Sequence, residues 1–319
     1  MPTFALQAQP TPRRRCIITK TQLRKLIAIR NASLLIAVIS ITLLWASAAE
    51  AGTKITQTTC PVVITQPGEY SLATDVGPCA PGVDGIDILA SGVTLHLNGH
   101  TVTGRAAPGT CNTSTGISVG LTSMPMVSGV GVLGKGTVSN FFVGFLAQNS
   151  ANSFAKFVIV TAQCPSASGI SEGFVVAAPG GGWTLQNNVL REPGISSSGI
   201  FVFGMDNNNL VGNDVNDSIS IVDSSNDTIV HNTANDNFAG IFVGTFRSVS
   251  QNNQIHATTT NNNTSSFGLD LGVGATGNNI TGNKSFGNDP FDMQHDNANC
   301  GGNKWEGNHF NTANQSCIK

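Results

Sequence analysis

An apolar residue followed three positions later by asparagine recurs along the chain: Leu95 and Asn98, Leu185 and Asn188, Leu210 and Asn213, Ile229 and Asn232, Ile280 and Asn283, Trp305 and Asn308. Ile255 and Thr258 fill the gap in the series with a residue that can hydrogen-bond in the same place. Leu210, Ile229, Ile255, Ile280 and Trp305 are therefore spaced by 19, 26, 25 and 25 residues, a period that predicts a solenoid. A second pattern runs out of phase with the first: a small residue, an apolar residue, any residue, then an apolar residue. It starts at Gly85, Gly116, Gly144, Gly173, Gly199, Ser218, Gly240, Gly268 and Pro290, which predicts about nine coils. Within each tetrad the alternation has the period of two that marks a half-buried strand, and Gly, Asn, Ser and Asp punctuate the intervals. No long helix is predicted after residue 52.

The asparagines follow from that architecture. Coils stacked at the inter-strand spacing of about 4.8 Å pair each backbone with its neighbours above and below, while inward aliphatics form columns. The bends between short strands need residues that tolerate left-handed backbone, and an amide side chain at a bend can bond to the one stacked in the next coil. Of the 32 asparagines, 26 lie from Asn187 onward, so the most regular ladder is expected in the C-terminal half. Leu185, Leu210, Ile229, Ile255 and Ile280 should form one buried column, with Asn188, Asn213, Asn232 and Asn283 stacked beside it.

These repeats resemble those of the right-handed parallel β-helix, the pectin-lyase-like superfamily, from about Thr53 to the C-terminus. The opening Ile64-Thr-Gln-Pro-Gly-Glu-Tyr-Ser-Leu72, followed by the run from Asp84 to Gly104, is similar to the start of secreted bacterial β-helix proteins, including relatives of the periplasmic protein of nitrous-oxide reductase maturation. The segment Cys300 to Cys317 resembles their closing segment and reads as a cap. The resemblance implies an all-β solenoid: an N-terminal cap over residues 52–84, coils over 85–289, and a last coil with its C-terminal cap over 290–319. It does not fix a function, since the superfamily hosts lyases, hydrolases, epimerases, adhesins and binding proteins.

The first 51 residues stand apart. Arg13, Arg14, Arg15, Lys20, Arg24, Lys25 and Arg30 are followed by an uncharged stretch from Asn31 to Ala49, and Ala49-Glu50-Ala51 has the small-x-small form of a cleavage site. The segment reads as an export signal, with an uncleaved membrane anchor as the alternative. Either way the solenoid is expected outside the cytoplasm: secreted, periplasmic or on the cell surface. Beyond residue 51 there are nine Lys and Arg against seventeen Asp and Glu, a net charge of −8 with His neutral. A chain this acidic has no basic patch for nucleic acid, and a monomer is expected. Six cysteines remain after Cys16, an even number that suits an oxidising compartment. Short loops at the two ends favour Cys60 with Cys79 and Cys300 with Cys317, which leaves Cys111 with Cys164.

Candidate chemistry follows from the tetrads. If the apolar positions point inward, the residue between them points outward, giving a column of Asp87, Ser118, Leu146, Val175, Phe201, Ser220, Phe242, Asp270 and Asp292. Phe201 and Phe242 would then be exposed about 10 Å apart, a spacing suited to stacking on an extended polysaccharide. Asp206 and Arg247 lie five residues past their outward sites, with Asp223 and His295 nearby. Such a groove suits paired carboxylates for glycoside hydrolysis. Equally, Ca²⁺ could hold a uronate while Arg247 or His295 removes a proton. The polygalacturonase strings Asn-Thr-Asp, Asp-Asp and Gly-His-Gly are absent, and Asp289 to Asp296 is only faintly similar to the epimerase Asp-Pro-His-Asp motif. His96 and His100 do not share a helix face and form no metal motif, while Asp217 and Asp236, at equivalent repeat positions, suggest a weak Ca²⁺ site. The sequence thus leaves open an exported enzyme or binder of polysaccharide and, as a third reading, a structural or adhesive surface rod.

Overall fold

The computed structural model describes residues 52–105, 114–161, 171–191, 198–264 and 266–319. Residues 1–51 and the pair Cys111 and Cys164 lie outside the described residues. The described chain is a parallel β-helix whose strands fall into three parallel sheets. Sheet 1 has eleven strands, from Thr53–Ile55 to Lys304–Glu306. Sheet 2 runs from Val62–Ile64 to Phe291–His295, with Val127–Ser128 as a side strand, and sheet 3 has ten strands from Val76–Cys79 to His309–Phe310. The described residues contain no α-helix, only a short 3₁₀ segment at Ala298–Gly302. No helix among them is long and apolar enough to cross a membrane.

The first eight tetrads map onto successive strands of sheet 2. Their inward residues form continuous columns, such as Phe145, Phe174, Ile200, Ile219, Ile241 and Leu269, each the register partner of the next. Phe145 and Phe174 approach to 5.2 Å between ring centroids. The ninth tetrad is displaced: Met293 and His295, not Phe291 and Met293, pair with Leu269 and Leu271. The segment before Gly85 is also more than a cap. Val62–Ile64 pairs with Ile86–Ile88, and Gly68–Leu72 and Val76–Cys79 belong to sheets 1 and 3, so one coil precedes the first tetrad.

In sheet 1, Leu185, Leu210, Ile229, Ile255, Ile280 and Trp305 are consecutive register partners, and all are buried. Beside them stands the expected asparagine ladder. Asn213 Oδ1 accepts from the backbone N–H of Asn188 at 3.0 Å and from its Nδ2 at 3.1 Å. Asn213 Nδ2 in turn donates to Asn232 Oδ1 and to the Leu185 carbonyl, both at 2.9 Å. Thr258 keeps its place by donating its hydroxyl to Asn283 Oδ1 at 2.8 Å, and Asn283 continues to Asn308.

Left-handed backbone and amide bonding were expected in the same residue, but the structure divides them between neighbours. Asn98, at the head of the series, does both, with φ 51° and its Nδ2 donating to the Leu72 carbonyl at 3.3 Å, whereas from Asn188 onward the residue before each ladder position has positive φ: Asn187, Gly212, His231, Ala257, Gly282 and Gly307. The ladder residue itself is then free to turn inward, where the next coil's backbone meets its amide.

Two further ladders occupy the other corners. Between sheets 2 and 1 the series is Asn208, Asp227, Asn253, Asn278 and Asn303; between sheets 3 and 2 it is Asn237, Asn263 and Asn288. Each corner therefore satisfies its buried backbone groups with a column of carboxamides, which explains why asparagine is concentrated from residue 187 onward.

Both ends are stapled, by Cys60–Cys79 and Cys300–Cys317. At the C-terminal end Asp292 fastens the cap to the last coil: its Oδ1 accepts from Asn288 N and Nδ2, and its Oδ2 from the backbone N–H of Asn311 and Thr312.

Replacing Asn213 by Ala removes four side-chain hydrogen bonds and takes the acceptor from the buried Asn188 N–H, and a loss on the order of 3 kcal/mol is expected in urea unfolding. Ala257, at φ 50°, is an L residue in the left-handed region. Ala257→Asn should raise stability by roughly 0.5 to 1 kcal/mol. A loss of stability in that variant would show that position 257 does not hold the left-handed conformation.

Candidate functional site

The outer face of sheet 2 carries a cluster of aromatics in which Phe246 is exposed, whereas Phe201 and Phe242, expected to be exposed, are half-buried among their neighbours. Phe201, Ser220, Phe242, Asp270 and Gln294 are consecutive register partners in one outward column. Phe203, two residues beyond Phe201, points to the same side because strand side chains alternate. Its ring stacks on that of Phe201 at 5.9 Å between centroids. Phe201, Phe203, Val222, Phe242, Thr245 and Phe246 line one cleft of about 520 Å³. Phe242 also meets Phe267 at 6.0 Å.

The coil that carries Phe242 is longer than its neighbours. Phe201 is followed seven residues later by its corner residue Asn208, whereas Phe242 is followed eleven residues later by Asn253. The extra residues form a loop, and Asp223 holds it. Asp223 Oδ1 accepts from the backbone N–H of Phe246 at 2.6 Å, of Arg247 at 2.9 Å and of Ser248 at 3.0 Å, and its Oδ2 also meets Arg247 N at 2.9 Å. Burial alone would push this carboxyl's pKa up, but these amides and the Arg247 charge outweigh it and hold the pKa below the ordinary aspartate value. The loop presents Phe246, 76% exposed. It also sets the Arg247 guanidinium 5.9 Å from the Phe203 ring and 5.8 Å from the Phe246 ring, within cation–π range.

Asp270 follows Phe242 in the column. It is only 3% exposed, and its Oδ1 has no hydrogen-bond partner. Burial, reinforced by the charge of Asp296, pushes its pKa up to about 7. At the other end of the same face, burial and then neighbouring Asp84 push Asp87 up to about 6.

Four of the eight expected site residues, Phe201, Phe242, Asp270 and Arg247, gather at this face. The other four have different positions. Asp292 lies two residues before the true outward position, which Gln294 occupies, and its oxygens are engaged by the cap. Burial opposes ionisation of Asp292, but the backbone and Asn288 amides prevail and lower its pKa. His295 takes the inward place of Leu271 and is fully buried. Its Nδ1 lies 2.9 Å from Asn297 N and its Nε2 2.6 Å from Asn303 Nδ2, and burial lowers its pKa against the charge of Asp296. Both displacements have one cause: the last tetrad was registered on Phe291, an apolar residue that does not point inward. Asp206 belongs to the corner between sheets 2 and 1, where its Oδ1 accepts from Ser225 N at 2.8 Å and it borders a separate cleft with Met126, Asn152 and Gly180 to Gly182. It is not equivalent to Arg247, because the loop insertion intervenes. Asp223 adjoins the cleft, but as the anchor of that loop.

Sequence reasoning missed Phe203 and Phe246. Strand alternation from Phe201 pointed to the first, and the lengthened interval before Asn253 to the loop that carries the second. For Ca²⁺, Asp217 is buried and accepts from Ser218 N, while exposed Asp236 accepts from Asn262 Nδ2. Among the described residues no three acidic, His or Cys groups gather as a cation site.

No protein-family model matches the chain, and no curated protein matches it. Solved structures do. The Dettilon tailspike protein superposes with a TM-score of 0.51 at 17% identity over 74% of this chain and 47% of its own. Polygalacturonase from Erwinia carotovora ssp. carotovora superposes with a TM-score of 0.49 at 11% identity over 86% and 99%. The chain spans about half the length of the tailspike it matches. At these identities the likeness is one of fold: the parallel β-helix is shared, and the narrower resemblance to the nitrous-oxide reductase maturation protein has no counterpart among these structures.

Two buried carboxyls give the molecule a pH signature. Asp227, in the corner ladder, is pushed up to about 6 by burial, against the hydrogen bonds from Ser224 and Asn208; Asp270 is at about 7. A raised folded pKa means that the native chain keeps a proton the unfolded chain has already released, so stability falls as pH rises from about 4 through these values. Asp227→Asn and Asp270→Asn should each flatten the decline between about pH 4 and 7 and raise the melting temperature at pH 8. An unchanged pH profile in both variants would contradict the burial of these charges.

Proposed function

We propose that this protein is an exported β-helix that binds a polysaccharide along the outer face of sheet 2. The observation that carries the reading is the cleft of four phenylalanines on that face. The half-exposed rings of Phe201 and Phe242, two coils apart in one column, can lie against the apolar faces of sugars in an extended chain. A loop anchored by Asp223 holds one ring and a guanidinium at its rim, so exposure of Phe246 is a built feature of the fold. The fold is one that a polygalacturonase and a tailspike also use. Two disulfides support folding in an oxidising compartment, in keeping with an export signal in residues 1–51.

Asp270 favours a second reading, in which the bound polymer is also processed. A carboxyl near neutrality, buried beside the aromatic column and with a free oxygen, is suited to donate or accept a proton at pH 7. That oxygen is buried, so its proton would pass to a bound polymer through water rather than by direct contact.

Double replacement of Phe201 and Phe242 by Ala should leave the circular dichroism spectrum unchanged and weaken polysaccharide binding by roughly 1 to 3 kcal/mol. Unfolding of that variant, or unaltered affinity, would remove the aromatic face from the binding site. For the second reading, Asp270→Asn should abolish release of new reducing or unsaturated ends while leaving the dissociation constant nearly unchanged. If the wild-type protein releases no such ends from any polymer it binds, the protein is a binder.

A further inference from the structure

The lining of the cleft discriminates among ligands more sharply than its shape does. Of its six residues, Phe201, Phe203, Val222, Phe242 and Phe246 have no hydrogen-bonding side-chain group. Thr245 is the exception, and its hydroxyl already donates to the Val273 carbonyl at 2.5 Å. A bare sugar ring pressed into such a site would lose water from its hydroxyls and gain few protein partners, at a cost of about 1 to 3 kcal/mol for each stranded group. An apolar group would enter without that penalty. At the rim, the Arg247 guanidinium makes no hydrogen bond to the described residues, and its planar fork of N–H donors lies beside the Phe203 and Phe246 rings. It needs an acceptor just outside an apolar body. The loop that supplies both Phe246 and Arg247 is fixed through three consecutive backbone N–H groups on one carboxylate, so the pairing of apolar wall and polar rim is preorganised.

We infer that the cleft holds an ester-linked acyl substituent of the polysaccharide. The acyl body lies among Phe201, Phe203, Phe242 and Phe246, and the ester carbonyl oxygen accepts from Arg247. This rests on the reading of sheet 2 as a polysaccharide-binding face, and it names the part of the polymer that the face selects. An ester has the two properties the site demands: an apolar or aromatic body, and one carbonyl acceptor at its polar end with no charge to desolvate. The unsubstituted stretches of the polymer then lie along the rest of the face, on the side of Gln294, where water reaches their hydroxyls.

The test is isothermal titration of the purified protein with one soluble xylan in three forms: unsubstituted, acetylated and benzoylated, at matched degrees of substitution, with methyl benzoate as a small-molecule control. The expected result is at least about tenfold tighter binding of an esterified form than of the unsubstituted one. The comparison of acetyl with benzoyl then tells a small acyl group from an aromatic one. Phe203→Ala and Phe246→Ala should cut affinity for the esterified forms far more than for the unsubstituted one, and so erase the preference. Arg247→Ala should reduce it severalfold, and Asp223→Asn, which loosens the loop without touching the ligand, should reduce it with a slower association rate. Equal affinity for all three polymers would overturn the inference and leave the polysaccharide reading standing. Binding of methyl benzoate without binding of any polymer would keep the acyl cleft and overturn the polysaccharide reading. No binding of any of the four ligands would overturn both.

Discussion

The structure depends on how a parallel solenoid satisfies its backbone at the corners. Along the strands, N–H and C=O groups pair with the coils above and below, but at each bend the chain turns away from that ladder while still buried. Here the missing partners are carboxamides. An asparagine side chain offers an acceptor to the backbone N–H of one coil and donors to a carbonyl and a neighbouring amide, so a column of them replaces the lost pairing coil after coil. The columns are mutually supporting: Asn213 is bonded to Asn188 on one side and to Asn232 on the other. With three corners so fixed, register carries from coil to coil, and on the outer face of sheet 2 side chains from different coils line up.

The aromatic cleft is a local departure from that regularity. Register brings Phe201 and Phe242 to the same column two coils apart, and alternation adds Phe203. What makes a cleft of them is the longer interval after Phe242, whose extra residues rise above the sheet and bring Phe246 and Arg247 over the rings. Asp223 turns this insertion from a surface loop into a wall. The same carboxylate read as a catalytic group in the sequence is, in the structure, saturated by backbone donors.

The fold was legible in the sequence because a solenoid repeats each decision many times. An apolar residue at Leu210 is ambiguous alone, but Leu210, Ile229, Ile255 and Ile280 at similar intervals are not. The positions of Phe201, Phe242 and Asp270 followed from the same repetition. Reasoning by repeat failed where the repeat itself changes. At the last coil Phe291 offered an apolar residue two places too early, which misplaced Asp292 and His295; both belong to the cap that ends the repeat. At residues 245–248 an insertion broke the equivalence between Asp206 and Arg247. Two of the three amide ladders went unread because their asparagines, such as Asn208 and Asn263, stand within runs of asparagine, where only hydrogen bonding tells the buried member from its left-handed neighbour.

Asp227 shows what such ladders imply for the long-term chemistry of the protein. It occupies an amide position between Asn208 and Asn253, where burial pushes its pKa up to about 6. When protonated, it can donate to the Ser224 oxygen 2.6 Å away, as a carboxamide would. Asp227 is therefore the same side chain that hydrolytic loss of ammonia would leave at any other rung. A rung so converted would carry a carboxyl where its neighbours carry amides. Each converted rung would bring its own proton demand into the corner, so the solenoid would grow more acid-loving as it ages, one coil at a time.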